Sequence, residues 1–413
     1  MGDAAQPLAL VSDVAVVGAG PAGLAAALAL AHVGARVVLI GPSPVRGSES
    51  PGDTRTAALL QSSVDLLKAL KVFDALFDQA APLKAIRIID ASDHLLRSPE
   101  IIFLASELDL DTFGYNIPNT ALVKALYAQA MQTLDAVEPD SVARIEPGAD
   151  HLRLTCSNGK AFKARLVVGA DGRRSICRAA AGIAADERRY EQAAIATSFG
   201  HARDHDFIST EIHLRAGLLT TVPLPEPRAS SLIWVGETAE IEGLMRLDDI
   251  HFSAALDERL GGLLGSVDTV AARASFPLTV FSAKELGARR TALVGEAAHI
   301  LPPIGAQGLN LGLRDAAALA DCMAAALRRG SDPGGDEVLK VYAAARRIDI
   351  ATRTVGVDLL SRSLLTDLLP VQAARSLVLH GLSRIAPMRR LVMQAGLAPP
   401  TELPSLMRPR ASL

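Results

Sequence analysis

The stretch that decides the fold is Val14-Ala15-Val16-Val17-Gly18-Ala19-Gly20-Pro21-Ala22-Gly23, followed by the Ala/Leu run 24–32, a stop at Gly34, and Val37-Val38-Leu39-Ile40. Two short β-branched runs of the kind buried in a parallel sheet flank one apolar helix, which makes a complete βαβ unit. Gly18, Gly20 and Gly23 form GxGxxG between the first strand and the helix, the context that gives this motif its meaning. The first glycine makes the tight turn, the second lets the backbone approach a pyrophosphate, and the third lets helix and strand pack closely. The helix N-terminus then faces phosphate with unpaired N–H groups and a partial positive charge. The bland reading is a tight turn with no ligand, and the full βαβ context favours dinucleotide binding over it. One expected part is missing. The acid that should hold the adenosine ribose belongs after the second strand, where Gly41 stands. Some other group must hold that end, and an acid restored at 41 is expected to be harmless or even to help.

Working outward, the 413 residues are 49% hydrophobic and 21% charged, which excludes intrinsic disorder. With 42 Lys and Arg against 45 Asp and Glu, the net charge of −3 gives no sign of nucleic-acid binding. Cys156, Cys177 and Cys322 lie far apart with no CxxC, so neither a disulfide framework nor a metal site is expected. The opening MGDAAQPLALVSD has no basic residue, and the apolar stretch 14–40 is broken by glycines. The chain therefore reads as cytoplasmic, with no signal peptide and no bilayer helix.

Further along, 55–76 has a helical pattern, 85–90 has strand character, and 119–134 is helical with Leu122, Leu126 and Ala130 on one face. Strands are expected at 152–155 and 166–168, on either side of the turn at Asn158-Gly159. Between 193 and 277 strands of mixed alternation separated by Pro-rich loops suit an antiparallel sheet. A buried strand at 291–294 ends at Gly295, and a long helix from 308 to 329 closes at Gly330. The loop 330–336 (GSDPGGD) reads as a linker, and all that follows is helical in pattern. The expectation is an α/β protein whose Rossmann-like domain is interleaved with an antiparallel-sheet domain. The first part of the Rossmann-like domain is 1–180, with an insertion near 85–110 that belongs to the other domain. The antiparallel-sheet, substrate-binding domain is 181–285, the second Rossmann part 286–330, and the C-terminal helical region 331–413.

Two more glycine motifs each follow a buried strand: Gly169-Ala170-Asp171-Gly172 and Gly295-Glu296-Ala297-Ala298-His299. The second continues through Leu301-Pro302-Pro303-Ile304-Gly305-Ala306-Gln307-Gly308-Leu309-Asn310-Leu311-Gly312. Together with Gly18 to Gly23, this set resembles the class A FAD-dependent aromatic hydroxylases, whose fold is para-hydroxybenzoate hydroxylase-like. Within them it looks most like the ubiquinone-biosynthesis hydroxylases (the UbiH/UbiF/VisC type), over essentially the whole chain. The resemblance includes Asp53-Thr54-Arg55 with 57–60, Asn119 before Leu122, and Tyr342 with Arg346, Arg347 and Asp349. It implies FAD as cofactor, with Arg55 and Asn119 at positions that contact it. Glu296 stands where the family usually has an Asp that reaches the ribityl hydroxyls, and one extra methylene shifts that reach. Asp171 matches an acid near both the flavin and its reductant. Physically, Pro302 and Pro303 with Gly305, Gly308 and Gly312 make a stiff, side-chain-poor approach to a helix start. Backbone N–H groups around Leu309 and Asn310 would face the flavin pyrimidine edge and favour its negatively charged reduced state.

The activity so implied is a single-component monooxygenase that uses NAD(P)H and O2 to hydroxylate an aromatic ring. The protein's part is to position the ring and exclude water. No second GxGxxG appears, so NAD(P)H would bind transiently on the flavin's face. The segment 181–285 has little ionic clustering, which suits an apolar, prenylated phenol better than a small aromatic acid. No catalytic residue is assigned: His299 reads as a hydrogen-bonded structural residue and Cys177 as inert. Arg346 and Arg347 read as structural pairs holding the last helices to the core, and Asp53 as either a helix cap or a site residue. A flavin halogenase is excluded, because the only tryptophan, Trp234, sits in Ile-Trp-Val-Gly and not in WxWxIP. A hydroxylase of another small aromatic compound, a flavin-dependent reductase and a non-catalytic flavin-holding subunit of a biosynthetic complex stay open.

From Arg346 to the end there are ten Arg, no Lys and four acids, a charge of +6 against −9 for the residues before it. The same region carries Leu359-Leu360, Leu364-Leu365, Leu368-Leu369, and Leu391-Val392-Met393 after Arg389-Arg390. Basic residues interleaved with apolar ones suit peripheral contact with an anionic inner-membrane surface or an acidic partner of a ubiquinone-biosynthesis complex. The bland reading is that the leucines pack inward and the arginines are solvated.

Overall fold

The computed structural model describes residues 10–44, 54–92, 99–215, 217–303, 305–365, 380–381, 384–397 and 402–409. The chain opens with β1 (Leu10–Val17), α1 (Pro21–His32), β2 (Val37–Ile40), β3 (Thr56–Leu60), α2 (Gln61–Ala69), β4 (Ala81–Pro82), β5 (Ala85–Asp90) and β6 (Ile101–Leu104). It continues with β7 (Gly114–Pro118), α3 (Asn119–Thr133), β8 (Ala136–Glu138), β9 (Val142–Pro147), β10 (Leu152–Cys156), β11 (Ala161–Gly169) and α4 (Ile176–Ala180). Then come β12 (Ala185–His201), β13 (Ile208–Leu214), β14 (Gly217–Pro223), β15 (Ala229–Glu237), α5 (Thr238–Arg246), α6 (Asp249–Leu260), β16 (Val267–Val270) and β17 (Ala274–Ala283). Last are β18 (Gly287–Ala288), β19 (Thr291–Leu293), β20 (His299–Ile300), α7 (Gln307–Arg329), α8 (Asp336–Leu365) and α9 (Ala386–Leu397).

Strands β19, β11, β1, β2 and β8 form a parallel sheet, with β18 and the β9–β10 hairpin added antiparallel. Helix α1 is buried from Gly23 to Leu30, as a helix apolar all round must be, and packs between that sheet and helices α3 and α7. A second sheet runs β20-β17-β12-β15-β14-β13-β5-β6. Its one parallel pairing is β13 with β5, because β5 and β6 arrive from a distant stretch of the chain. One face of this sheet packs on α5 and α6 through Ile195, Leu219 and Trp234 against Phe252 and Leu256. The other, inner face carries Ala194, Leu218 and Val235 with Leu278. A small third sheet, β3-β7-β4, lies between the two.

The expected helix over 55–76 is corrected: its first third is the strand β3, paired antiparallel with β7 from Thr56↔Pro118 to Leu60↔Gly114. Thr-Ala-Ala-Leu-Leu has good local helix propensity, but a partner more than fifty residues away completes its backbone bonds and wins. Helix α2 and a 3₁₀ turn, Phe73–Gln79, fill the rest. The stretch 330–336 is no loose linker either. Asp332 accepts from Arg290 Nη2 at 2.6 Å. A Cβ on Gly334 would stand 1.9 Å from the Arg165 carbonyl oxygen, so the segment is a packed corner. Asp53 and Leu368-Leu369 lie outside the described residues.

Candidate flavin site

At the β1–α1 corner the three motif glycines do different things. Gly18 has φ +114°, and a Cβ there would lie 2.2 Å from the Ala170 carbonyl oxygen. A Cβ on Gly23 would lie 2.1 Å from the Gly18 carbonyl oxygen. Both positions are therefore fixed as glycine by the packing of the corner itself. Gly20 differs: it caps α1, and a Cβ there would meet nothing within 4 Å. Its bare Cα opens on free space in front of the first-turn N–H groups of α1, which have no partner within the helix. This cradle fits a pyrophosphate.

The reading of Gly41 is corrected. A Cβ there would sit 2.6 Å from the Ala19 backbone nitrogen, inside the glycine turn, so an acid at 41 would displace the motif it was meant to assist. Among the described residues, Glu138 stands at that end of the sheet, level with Ile40, and its carboxylate accepts from Lys160 at 2.7 Å and Asn158 at 2.9 Å. It is turned to the connection between β10 and β11.

The second half of the site is the segment from Gly295 to Asn310. Gly295, at φ +61°, turns the chain after β19 so that Glu296 is exposed while Ala297, Ala298 and His299 are buried. That turn is anchored from beneath by a residue the sequence reading did not single out, Asp315 of α7. Its Oδ2 accepts from the Gly295 N–H at 3.1 Å and pairs with His299 Nε2 at 2.6 Å; its Oδ1 accepts from Arg346 Nε at 2.7 Å. Arg346 continues to Asp349 at 2.8 Å, and Tyr342 donates to the Leu293 carbonyl at 2.7 Å. Burial alone would raise the Asp315 carboxyl, but His299 and Arg346 outweigh it and hold the group below the ordinary carboxylate range. His299 and Arg346 are thus structural, whereas Arg347 is exposed. Arg314, 1% exposed, lies 3.2 Å from Asp349, yet none of its guanidinium nitrogens makes an aligned hydrogen bond; burial brings its pKa down to about 10. The charged pair Arg314-Asp315 in the middle of an Ala/Leu helix was the available sequence signal for this network.

The remaining predicted residues fall into place around these two halves. Arg55 and Asn119 meet, the Asn119 N–H donating to the Arg55 carbonyl at 3.0 Å. Arg55, Gly20, Glu296 and Gly308 are exposed, and Pro303 and Leu309 are half-buried. Asn310 is buried, and its side chain ties the loop to β3: Oδ1 accepts from Leu60 N at 2.9 Å, and Nδ2 donates to Ala58 O at 2.8 Å. Only its backbone is left to face a flavin. Asp171 accepts from the Ser175 hydroxyl at 2.5 Å and the Cys177 N–H at 3.2 Å, so its carboxylate is committed to the start of α4. The Cys177 thiol is pushed well up by burial, which keeps it unreactive.

Beyond β3 the path leads to the inner face of the second sheet. Thr56 donates to Ser231 of β15 at 2.9 Å, and Asn116 of β7 donates to the Pro223 carbonyl at 2.8 Å. Ala306 (φ +54°) and Gly305 (φ +62°) set up the start of α7. A flavin spanning the Gly20 cradle and this helix start would have the inner face of the second sheet before it.

A parallel sheet with a glycine cradle, a second glycine turn and an antiparallel sheet facing both defines an FAD-dependent monooxygenase. Comparison with known proteins agrees: the family described as FAD binding domain matches residues 11–356, and the chain belongs to it. It is 36% identical over 387 residues to the ubiquinone hydroxylase UbiL of Rhodospirillum rubrum, covering 93% of this chain and 89% of that protein. It is 32% identical over 392 residues to the 3-demethoxyubiquinol 3-hydroxylase of Escherichia coli, covering 94% and 98%. Among solved structures, p-nitrophenol 4-monooxygenase PnpA from Pseudomonas putida superposes with a TM-score of 0.76 at 20% identity, over 96% of this chain and all of that one. The chain is a class A FAD-dependent aromatic hydroxylase of the ubiquinone-hydroxylase kind.

Proposed function

We propose that the ring hydroxylated is a prenylated phenol on the route to ubiquinone, and that Gly18, Gly20, Gly23, Arg55, Asn119, Asp171, Gly295, Glu296, Pro303, Gly308, Leu309 and Asn310 frame the FAD. The observation that carries the substrate reading is the inner face of the second sheet. Ala194, Leu218, Val235 and Leu278 form an apolar cluster there, with Tyr190, Ile233 and Phe276 half-buried beside it. Such a face takes an isoprenoid phenol more readily than a carboxylate. The names of the relatives point the same way.

When bound, FAD supplies the redox chemistry, passing electrons from NAD(P)H to O2. The chain's own part is distributed. Gly20 and the start of α1 receive the pyrophosphate, and Glu296 offers an acceptor to the ribityl hydroxyls. The N–H groups of Leu309 and Asn310 favour negative charge at the pyrimidine edge. The apolar inner face orients the ring and keeps water out.

Docking at a membrane belongs to the same reading. On α9, Leu391 is 67% exposed and Val392 43%, with Arg390 exposed between these and Arg389, which is already paired to Glu107 at 2.7 Å. Among the described residues no helix is long and apolar enough to cross a membrane, so contact would be peripheral.

The test is substrate-stimulated NAD(P)H oxidation with a prenylated phenol under ¹⁸O₂, scored by label in the product. Consumption of phenol without label would give the reaction to a reductase. Tight FAD binding with no turnover on any phenol would make the chain a holding subunit. Sedimentation with anionic liposomes, lost in Leu391→Asp/Val392→Asp and weakened by salt, tests the docking face.

A further inference from the structure

On the inner face of the second sheet the residues form rows across the strands. Ser231, level with Val222, makes one row, and it is the one reached by Thr56. The next row, two residues along and so about 7 Å away, holds Ile233, Thr220, Glu211 and Ile88 in register across β15, β14, β13 and β5. All four are only half-buried, although they sit in the middle of the sheet. This strip is the open floor of the face, two apolar residues flanking two polar ones.

Glu211 is not a stray surface acid. Its Oε1 lies 2.7 Å from Nε2 of His213, two residues on along the same face, and His213 is 4% exposed. His213 Nδ1 has no hydrogen-bond partner, and neither does the buried hydroxyl of Thr220. A buried polar atom left without a partner in a native fold calls for an explanation. With Nδ1 unpartnered, the neutral ring carries its hydrogen on Nε2 and donates it to Oε1. Oε1 of Glu211 is thus committed to His213, and Glu211 stands level with Thr220 on the half-buried strip.

We propose that Glu211 is the proton acceptor for the substrate's ring hydroxyl, with Thr220 as a second contact to the same oxygen and His213 as the positioning residue. The step is a proton transfer: the phenol O–H bond breaks, the proton passes to Glu211 Oε2, and the electron pair stays on the phenolate oxygen. That electron density activates the ring carbon for oxygen insertion; the ring C–H hydrogen then leaves as a proton to solvent, its electron pair restoring the aromatic ring, and the Glu211 proton returns to the phenolate oxygen. The groups facing the dyad are few. Strand β14 carries no titratable residue. Strand β5 places Asp90 level with His213 on this face, accepting from Ser92 N at 3.2 Å, while Arg87 alternates to the other face and pairs with Glu100 at 3.1 Å. Glu211 and His213 therefore form a short relay between Ile88 and Ile233, with Asp90 as the one other carboxylate these strands place beside it.

The inference rests on the phenol reading of the substrate, and the experiment separates the two. Holoenzyme is titrated with a geranyl-substituted phenol. Perturbation of the flavin spectrum reports binding, and near-ultraviolet difference absorbance reports phenolate. In wild type the bound phenol should ionise well below its free value of about 10. In Glu211→Gln, which keeps the shape and the FAD, it should bind with KM within about threefold but ionise near its free value, with kcat down about a hundredfold. His213→Gln should lie between, and Thr220→Val should raise KM more than it lowers kcat. No flavin perturbation in wild type would overturn the phenol reading itself. Wild-type ionisation and pH profile in Glu211→Gln would overturn the assignment of Glu211 alone.

Discussion

The corner between β1 and α1 and the inner face of the second sheet, the two halves of the site proposed above, are built on opposite plans. At the corner the site is made by leaving side chains out. Gly18 and Gly23 are locked as glycine by carbonyl oxygens 2.2 and 2.1 Å from where a Cβ would be, and the polar groups on offer are the backbone N–H groups of the first turn of α1. On the inner face the site is made by side chains, and two buried atoms there, Thr220 Oγ1 and His213 Nδ1, have no hydrogen-bond partner. The corner serves a ligand that always has the same phosphates, so backbone suffices. The inner face serves a substrate that must be turned, ionised and released. On that proposal, cofactor binding is a property of the backbone, while substrate chemistry is a property of a few strand positions.

The largest effect should come from adding a single methyl at the corner. Gly18→Ala forces a Cβ into the Ala170 carbonyl at a φ of +114°, and the expected loss of stability is about 4 kcal/mol or more. Gly20→Val adds more bulk two residues further on, yet it should leave the FAD-free protein within about 1 kcal/mol of wild type, the cost of a poorer helix cap. Its effect should be to abolish FAD binding. Thermal unfolding of FAD-free protein beside flavin occupancy separates the two. Equal stability losses in both variants would break the distinction between packing glycines and the cradle glycine.

Asp315 joins the two plans, since it holds the Gly295 turn with side-chain charge. Asp315→Ala leaves His299 buried without its carboxylate and Arg346 with Asp349 alone, at a cost of about 3–5 kcal/mol. The pH dependence has a definite sign. The folded carboxyl is held below its ordinary value, so its contribution is present above about pH 4 and is lost as pH falls through the folded value. Denaturation of wild type and Asp315→Asn should therefore converge on acidification. A gap that stays constant down to pH 3 would remove the charge from the explanation.

How much of this was legible in the sequence follows the same division. The corner was readable because only glycine tolerates those contacts, so the chemistry and the residue type coincide. The strand β3 was not readable, because Thr56–Leu60 is a good helix sequence whose partner, Gly114–Pro118, arrives from far along the chain. The unsuitability of position 41 for an acid could not be read either, since it depends on Ala19 crossing 2.6 Å away. Asp171 and Asn310 were expected from sequence beside the flavin, but sequence could not say that their side chains bond inward. Glu211 and His213 alternate on one face of a strand. Nothing in their neighbours told which face would be inner, and the pair was passed over.

Two substitutions compare the plans at similar strength. Glu296→Ala removes an exposed carboxylate beside the Gly295 turn and should weaken FAD binding by about 1.5–3 kcal/mol, with FAD-free stability unchanged. Gly41→Glu was expected from sequence to be the milder change. With a Cβ only 2.6 Å from the Ala19 nitrogen it should instead cost about 1–3 kcal/mol of FAD-free stability as well as FAD affinity. Isothermal titration with FAD, beside urea denaturation, gives both numbers. Normal FAD-free stability in Gly41→Glu would mean that the corner yields more readily than its contacts indicate.

The smallest effect is expected where the two plans meet. Thr56 reaches from the sheet that carries the flavin loop to Ser231 on the substrate sheet, a hydrogen bond of 2.9 Å, and Ser231 is also within 3.3 Å of Asn116 Nδ2 and of the Val222 carbonyl. Thr56→Val keeps the shape and removes the donor, at a cost of about 1 kcal/mol. Ser231→Ala removes more, since it also takes a partner from Asn116. The informative quantity is the coupling in the double-mutant cycle. If the bond only adds stability, the two changes will be coupled in urea denaturation while KM for the phenol stays put. If it sets the distance between the flavin loop and the Glu211 row, Thr56→Val will raise KM at unchanged FAD affinity. The second outcome is expected, because Asn310 fixes β3 to the loop at Ala58 and Leu60 and Thr56 is that strand's side-chain tie to β15.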